Sequence, residues 1–170
     1  MNATLVRNPS FNADGELTAW AFLPNETWRS IAPLLARTCD LVGFSYYKLE
    51  TELSESGLFD VLEATPLKSV RETVDGHDYH LLLCQFTAHT AYLMGTTNFN
   101  HWSSTDGDLN VDEIFFFQAD QRIAVVKPRE GLVEFYGADL GFLQDVENSH
   151  PAFKDSIFIV EDGKFSGTPF

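Results

Sequence analysis

The chain has 170 residues, 44% hydrophobic and 14% aromatic with 15 Phe, which is one domain's length and too apolar for a disordered polymer. Its formal charge of −14, from 25 acids against 11 Lys and Arg, works against binding nucleic-acid phosphates or anionic lipid, and no apolar run reaches membrane-spanning length. The two cysteines, Cys39 and Cys84, are too few and too far apart for a disulfide framework or a metal knuckle.

Glu16 to Leu23 alternates as a strand and ends at Pro24. Asn25 is placed to cap a helix carrying Trp28, Ile31 and Leu35 at helical spacing. Pro33 leaves two forms of that helix open, one kinked at Pro33 and one that starts from Ser30 with Pro33 in its first turn. Leu41 to Leu49 reads as a strand, and Ser54 to Ala64 as a short helix burying Leu58, Val61 and Leu62 before Pro66.

Strands are then predicted at Leu67 to Val74, Tyr79 to Thr87 and Ala91 to Thr97, the first turn being Asp75-Gly76. Glu113 to Gln118, Arg122 to Lys127 and Leu132 to Tyr136 follow, joined by connections of hairpin length. Asp139 to Asn148 reads as a helix, and Asp162-Gly163 as the turn of a final hairpin. Short connections of this kind cannot join parallel strands. The expected fold is α+β, an antiparallel meander sheet of about six to eight strands with two or three short helices on one side. Residues 1–170 are expected to form a single domain.

Catalytic signatures are lacking. No H-E-x-x-H, G-x-S-x-G, Cys–His or glycine-rich phosphate motif occurs, so no cofactor is expected and the balance is against an enzyme. His77 and His80, three apart on a strand, point to opposite faces, while His89, His101 and His150 are scattered. Asp106, Asp108, Asn110 and Asp112 alternate like the first half of a calcium loop. The match then fails, because Val111 stands where that loop needs Gly and Phe117 where it needs a bidentate Glu.

The same loop offers a partner-binding reading. Phe99 and Trp102 are large rings in a polar segment, suited to be an anchor and its support, with Asp106, Asp108, Asp112 and Glu113 as a charged rim. Against it stands a plainer reading, in which Trp102 folds back and finishes the core. Acids also run unopposed elsewhere. Glu50 to Glu63 holds five acids and no Lys or Arg, and from Glu130 onward eight acids face only Lys154 and Lys164. Such surfaces attract basic proteins, although solubility alone accounts for many of them.

The expected function is therefore an acidic binding or inhibitor protein, immunity- or antitoxin-like, that neutralises a basic protein partner such as a toxin or a nucleic-acid-acting enzyme. Direct nucleic-acid and membrane contacts are not expected. Met1 to Ser10 lacks the basic start and apolar run of a secretory signal, so a cytoplasmic setting is expected. The alternative is an enzyme or carrier holding a small apolar or aromatic ligand in a sheet-and-helix pocket, suggested by Phe115-Phe116-Phe117, whose rings alternate between faces.

Overall fold

Side-chain alternation along each strand divides the apolar residues between two faces, and everything that covers the sheet follows from that division. The computed structural model describes residues 1–46, 57–74, 77–103 and 111–170. Its strands are Asn2–Leu5 (β1), Arg7–Phe11 (β2), Leu17–Ala21 (β3), Leu41–Tyr46 (β4), Lys68–Val74 (β5), His77–Gln85 (β6), Val111–Gln118 (β7), Gln121–Lys127 (β8), Leu132–Phe135 (β9), Ile157–Glu161 (β10) and Lys164–Pro169 (β11). Nine of them form one antiparallel sheet in the order β11-β10-β1-β9-β8-β7-β4-β6-β5, and β2 pairs with β3 separately.

The α+β expectation holds, with nine strands in the main sheet rather than six to eight. Only β7, β8 and β9 are a three-strand meander. β1 inserts between β9 and β10, with Ala3 opposite both Phe135 and Ile159, and β4 inserts between β7 and β6. Sequence reading missed β1 and β2, because the mixed polar and apolar residues of the first ten positions show no strand pattern, and the neighbours of β1 are far away in the chain while the pairing of β2 with β3 is irregular in register.

The α-helices are Thr27–Leu35 (α1), Leu58–Leu62 (α2), Ala88–Gly95 (α3) and Leu140–Asn148 (α4), with 3-10 turns at Phe99–Ser103 and Pro151–Phe153. The predicted strand at Ala91 to Thr97 is instead α3. Thr87 caps it, its hydroxyl oxygen accepting from the Thr90 N–H at 3.2 Å, and that local bond starts a helix where the apolar run alone was ambiguous. Asn25 does not cap α1. Its carbonyl accepts from Phe99 N–H at 3.0 Å, so it holds the neighbouring 3-10 turn instead. Nor does the helix start from Ser30, because α1 begins at Thr27 and contains Pro33 in its interior. Val61 lies on the exposed side of α2, not on its buried stripe. The predicted Asp75-Gly76 turn, residues 47–49 of the predicted strand and residues 54–56 of the predicted helix lie outside the described residues.

One face of the sheet carries Ala3, Leu5, Val42, Phe44, Ile114 and Phe116, and the helices close over it. Trp28 of α1 is the centre of that layer. Its ring lies 5.5 Å from Phe99, 5.0 Å from Trp102 and 6.2 Å from Phe116. Trp28 is 0% exposed and its indole N–H has no acceptor among the described residues, a desolvation cost of about 1–3 kcal/mol. Trp102 is equally buried but donates its indole N–H to the Thr97 hydroxyl at 2.7 Å. Cys39 and Cys84 belong to the same layer. Burial, with Asp40 adding to it, pushes the Cys39 thiol up to about 12, and burial pushes Cys84 up to about 11, so both remain protonated thiols.

The β2–β3 hairpin covers one end of the second face, where Phe11, Leu17 and Trp20 pack against Val6, Leu132 and Phe158. Trp20 Nε1 donates to the Glu130 carbonyl at 2.5 Å, and Leu23 N–H to the Gly131 carbonyl at 3.2 Å. Gly131 has φ +70°, and a Cβ there would stand 2.9 Å from the Phe22 Cα, so glycine is required for the hairpin to dock.

Trp102→Ala should cost about 3–5 kcal/mol of unfolding free energy, the range for deleting a buried aromatic ring. Urea denaturation followed by far-UV circular dichroism measures it. A loss under about 1 kcal/mol would mean that the ring does not support the core.

Candidate functional site

On the second face, beyond the cover of the β2–β3 hairpin, titratable side chains from three neighbouring strands meet. Register explains why. Glu113 sits one position beyond the Ile114–Val126 pair, which sets it across from Lys127. Glu134, opposite Val125, is the diagonal neighbour of Lys127, and Tyr136 follows two residues later on the same side. Lys127 Nζ lies 2.8 Å from Glu134 Oε1 and 3.9 Å from a Glu113 carboxylate oxygen. The Tyr136 hydroxyl donates to Glu134 Oε2 at 2.7 Å. The Arg122 guanidinium stands 5.1 Å from the centre of the Phe115 ring beside this group.

These groups are half-buried. Side-chain exposure is 21% for Lys127, 15% for Glu113 and 27% for Glu134, so their charges act through less water than surface pairs do. Burial raises the Glu113 carboxyl above its ordinary range, and Lys127 pulls it back only in part. Burial works to lower Lys127, but the charge and hydrogen bond of Glu134 outweigh it and hold the ammonium above the usual lysine range. Burial and the Glu134 bond also raise the Tyr136 phenol. Lys127 is therefore a fixed cation rather than an amine nucleophile, and Tyr136 a hydrogen-bond donor rather than a base.

Beside Glu134 the surface opens into a cleft of about 330 Å³ between β1, β9 and the β10–β11 hairpin. Its lining includes Asn2, Thr4, Glu134, Tyr136, Asp162 and Phe165. A second cleft, of about 580 Å³, lies along the β10–β11 hairpin and includes Lys164. A third, of about 290 Å³, lies between α2 and α3, where exposed His89 meets exposed Glu63 at 3.0 Å.

The residues singled out from sequence fall in different places. Phe99 and Trp102 are fully buried under α1 and have no surface to offer a partner, so the plainer reading of Trp102 as a core residue describes them. An aromatic run in a polar loop carries no mark of whether its rings face water or the core. Asp106 and Asp108 lie outside the described residues, as does Asn110 of the weighed calcium loop. Asp112 and Glu113 begin β7, half-buried, and Glu113 joins the cluster just described.

Lys127, Glu134, Tyr136 and Arg122 were not singled out. Their signal lay only in alternation across β8 and β9 once the register is known. His150 caps the Pro151 turn, its Nδ1 accepting from Ala152 N–H at 3.0 Å. Among the described residues no three His, Cys, Asp or Glu side chains converge as metal ligands would. Between sheet and helices, where a ligand pocket was the alternative expectation, Trp28, Phe44, Trp102 and Phe116 pack on one another.

Comparison with protein-family models, with curated proteins and with solved structures found no match.

Lys127→Met should cost about 2 kcal/mol at neutral pH, the scale of a lost charge-assisted hydrogen bond, because it leaves Glu113 and Glu134 unopposed. Adding Glu134→Gln should recover part of the loss in a double-mutant cycle, whereas strictly additive costs would show that the pair is not coupled. Because Glu113 holds its proton more tightly folded than unfolded, its contribution is full at low pH and fades as pH rises through the raised value. Glu113→Gln should therefore gain stability relative to the parent over that window and run parallel to it above. The Lys127 contribution is present below the ordinary lysine range and is lost only as strongly alkaline pH passes its raised value.

Proposed function

We propose that this chain is an acidic binding protein that neutralises a basic protein partner, as inhibitor and immunity proteins do. One observation carries the reading. A net charge of −14 means that at least 14 carboxylates would lack a Lys or Arg even if every cation were paired one to one. Some of the cations are already taken up internally. Lys127 serves Glu113 and Glu134, and Arg37 lies 3.5 Å from Asp145. Charge in this excess costs self-repulsion and speeds encounter with a cationic surface.

The surface that best fits such a partner is not the one around Trp102. Asp139, Glu161 and Asp162 are exposed where β9 gives way to α4 and where β10 turns into β11. Leu140, 53% exposed, supplies apolar area beside Asp139. An interface needs both, since apolar anchors set the lifetime of a complex and rim charges set its rate of formation.

Capture on the immobilised chain at low and high salt, followed by reconstitution of the captured protein in pure form, tests the proposal. The expected result is one basic protein that binds saturably at 1:1, with an association rate that falls steeply as salt rises. Absence of saturable binding to any basic protein at low ionic strength would overturn it.

A further inference from the structure

We propose that the cleft between β1, β9 and the β10–β11 hairpin is a seat for an organic cation, a guanidinium or alkylammonium group. Its lining contains two carboxylates, Glu134 and Asp162, and no Lys, Arg or His. Two aromatic rings, Tyr136 and Phe165, line the same space. Carboxylate and aromatic face together are the pairing that recognises organic cations, because the ring quadrupole and the negative charge both favour a poorly hydrated positive group.

The detailed chemistry agrees. Each oxygen of Glu134 holds one internal hydrogen bond, from Lys127 and from Tyr136, and a carboxylate oxygen accepts two. Those internal bonds fix the carboxylate in place, so a ligand would find it already oriented. The Phe165 ring also packs on Phe11, with the ring centres 5.2 Å apart. At about 330 Å³ the space is at the small end of the roughly 300–1,000 Å³ usual for ligand sites and admits one such group rather than a large molecule. The larger cleft along the same hairpin includes Lys164, which opposes a cation, and the described lining of the α2–α3 cleft has His89 beside its one acid, Glu63, and no Phe, Tyr or Trp.

In the setting proposed above, the cation is an arginine or lysine side chain of the basic partner, and that part rests on that reading. The cleft's preference does not, since a free amine or guanidine carries the same chemistry. N-acetyl-argininamide is the first probe and its neutral isostere N-acetyl-citrullinamide the control, each titrated into the full 15N-labelled chain and followed by amide shifts. The arginine probe should saturate shifts around Thr4, Glu134, Tyr136 and Asp162, and the citrulline probe should not.

Asp162→Asn sits on an exposed turn at φ +50°, a conformation that Asn adopts readily, so the variant should fold as the parent does. It should weaken the arginine probe about threefold to fivefold, the scale of a partly exposed ion pair. Equal shifts from both probes, or an unchanged affinity in Asp162→Asn, would overturn the seat. A captured basic protein whose binding ignores Asp162→Asn would also overturn it, while leaving the proposed function standing. A probe that binds in a chain that captures no basic protein would support the seat and assign it to free amines or guanidines.

Discussion

The contact between the Trp28 indole and the rings of Phe99, Trp102 and Phe116 is the constraint on which the rest of the molecule depends. It ties α1 and the Phe99–Ser103 turn to β7 through four large side chains with almost no polar handle among them. A sheet of nine strands has one face too broad for any single short helix to cover, so several must be held in place together. The aromatic cluster does that at its middle. The indole N–H of Trp28, without an acceptor among the described residues, is the cost, and the dispersion and burial of four rings are what offset it.

With one face consumed by packing, the second face carries the charge. Its hydrophobic residues are shared between the docking of the β2–β3 hairpin and a central group of Leu81, Phe115 and Val125, and between them lie Glu113, Lys127, Glu134 and Tyr136. That network sets Lys127 between two carboxylates, with the Arg122 guanidinium beside it. The proposed preference for cations rests instead on the acids that line the neighbouring cleft and on the acidic composition of the whole chain.

Strand and hairpin chemistry made the second half of the fold legible. Asp162-Gly163 set the last hairpin, and alternation across Glu113 to Tyr136 located β7, β8 and β9 almost to the residue. What failed was decided by distant partners or by one side-chain bond. β1 shows no clear pattern until Leu5 meets both Val133 and Ile157. α3 turns on the Thr87 hydroxyl, a cap that competes with an equally good strand reading of Ala91 to Thr97. The burial of Trp102 could not be read from sequence because its hydrogen-bond partner is Thr97, five positions back, and the ring so enters the core with its indole N–H bonded. Glu113 alone of the proposed rim reached the cluster, and by register rather than by loop position.

The insertion of β1 between β9 and β10 carries a consequence for the order in which the sheet can close. Ala3 pairs with Phe135 and with Ile159, so β1 cannot complete its hydrogen bonds until β9 and β10, far along the sequence, are in place. Until then its backbone groups bond only to water and the apolar face of Ala3 and Leu5 stays exposed, a stretch of open edge of the kind that pairs wrongly with other chains. Closing contacts across so many residues also delays the final step, as high contact order generally does. Closure of the sheet at β1 therefore waits on strands from the far end of these 170 residues, so this part of the fold forms as a unit rather than strand by strand.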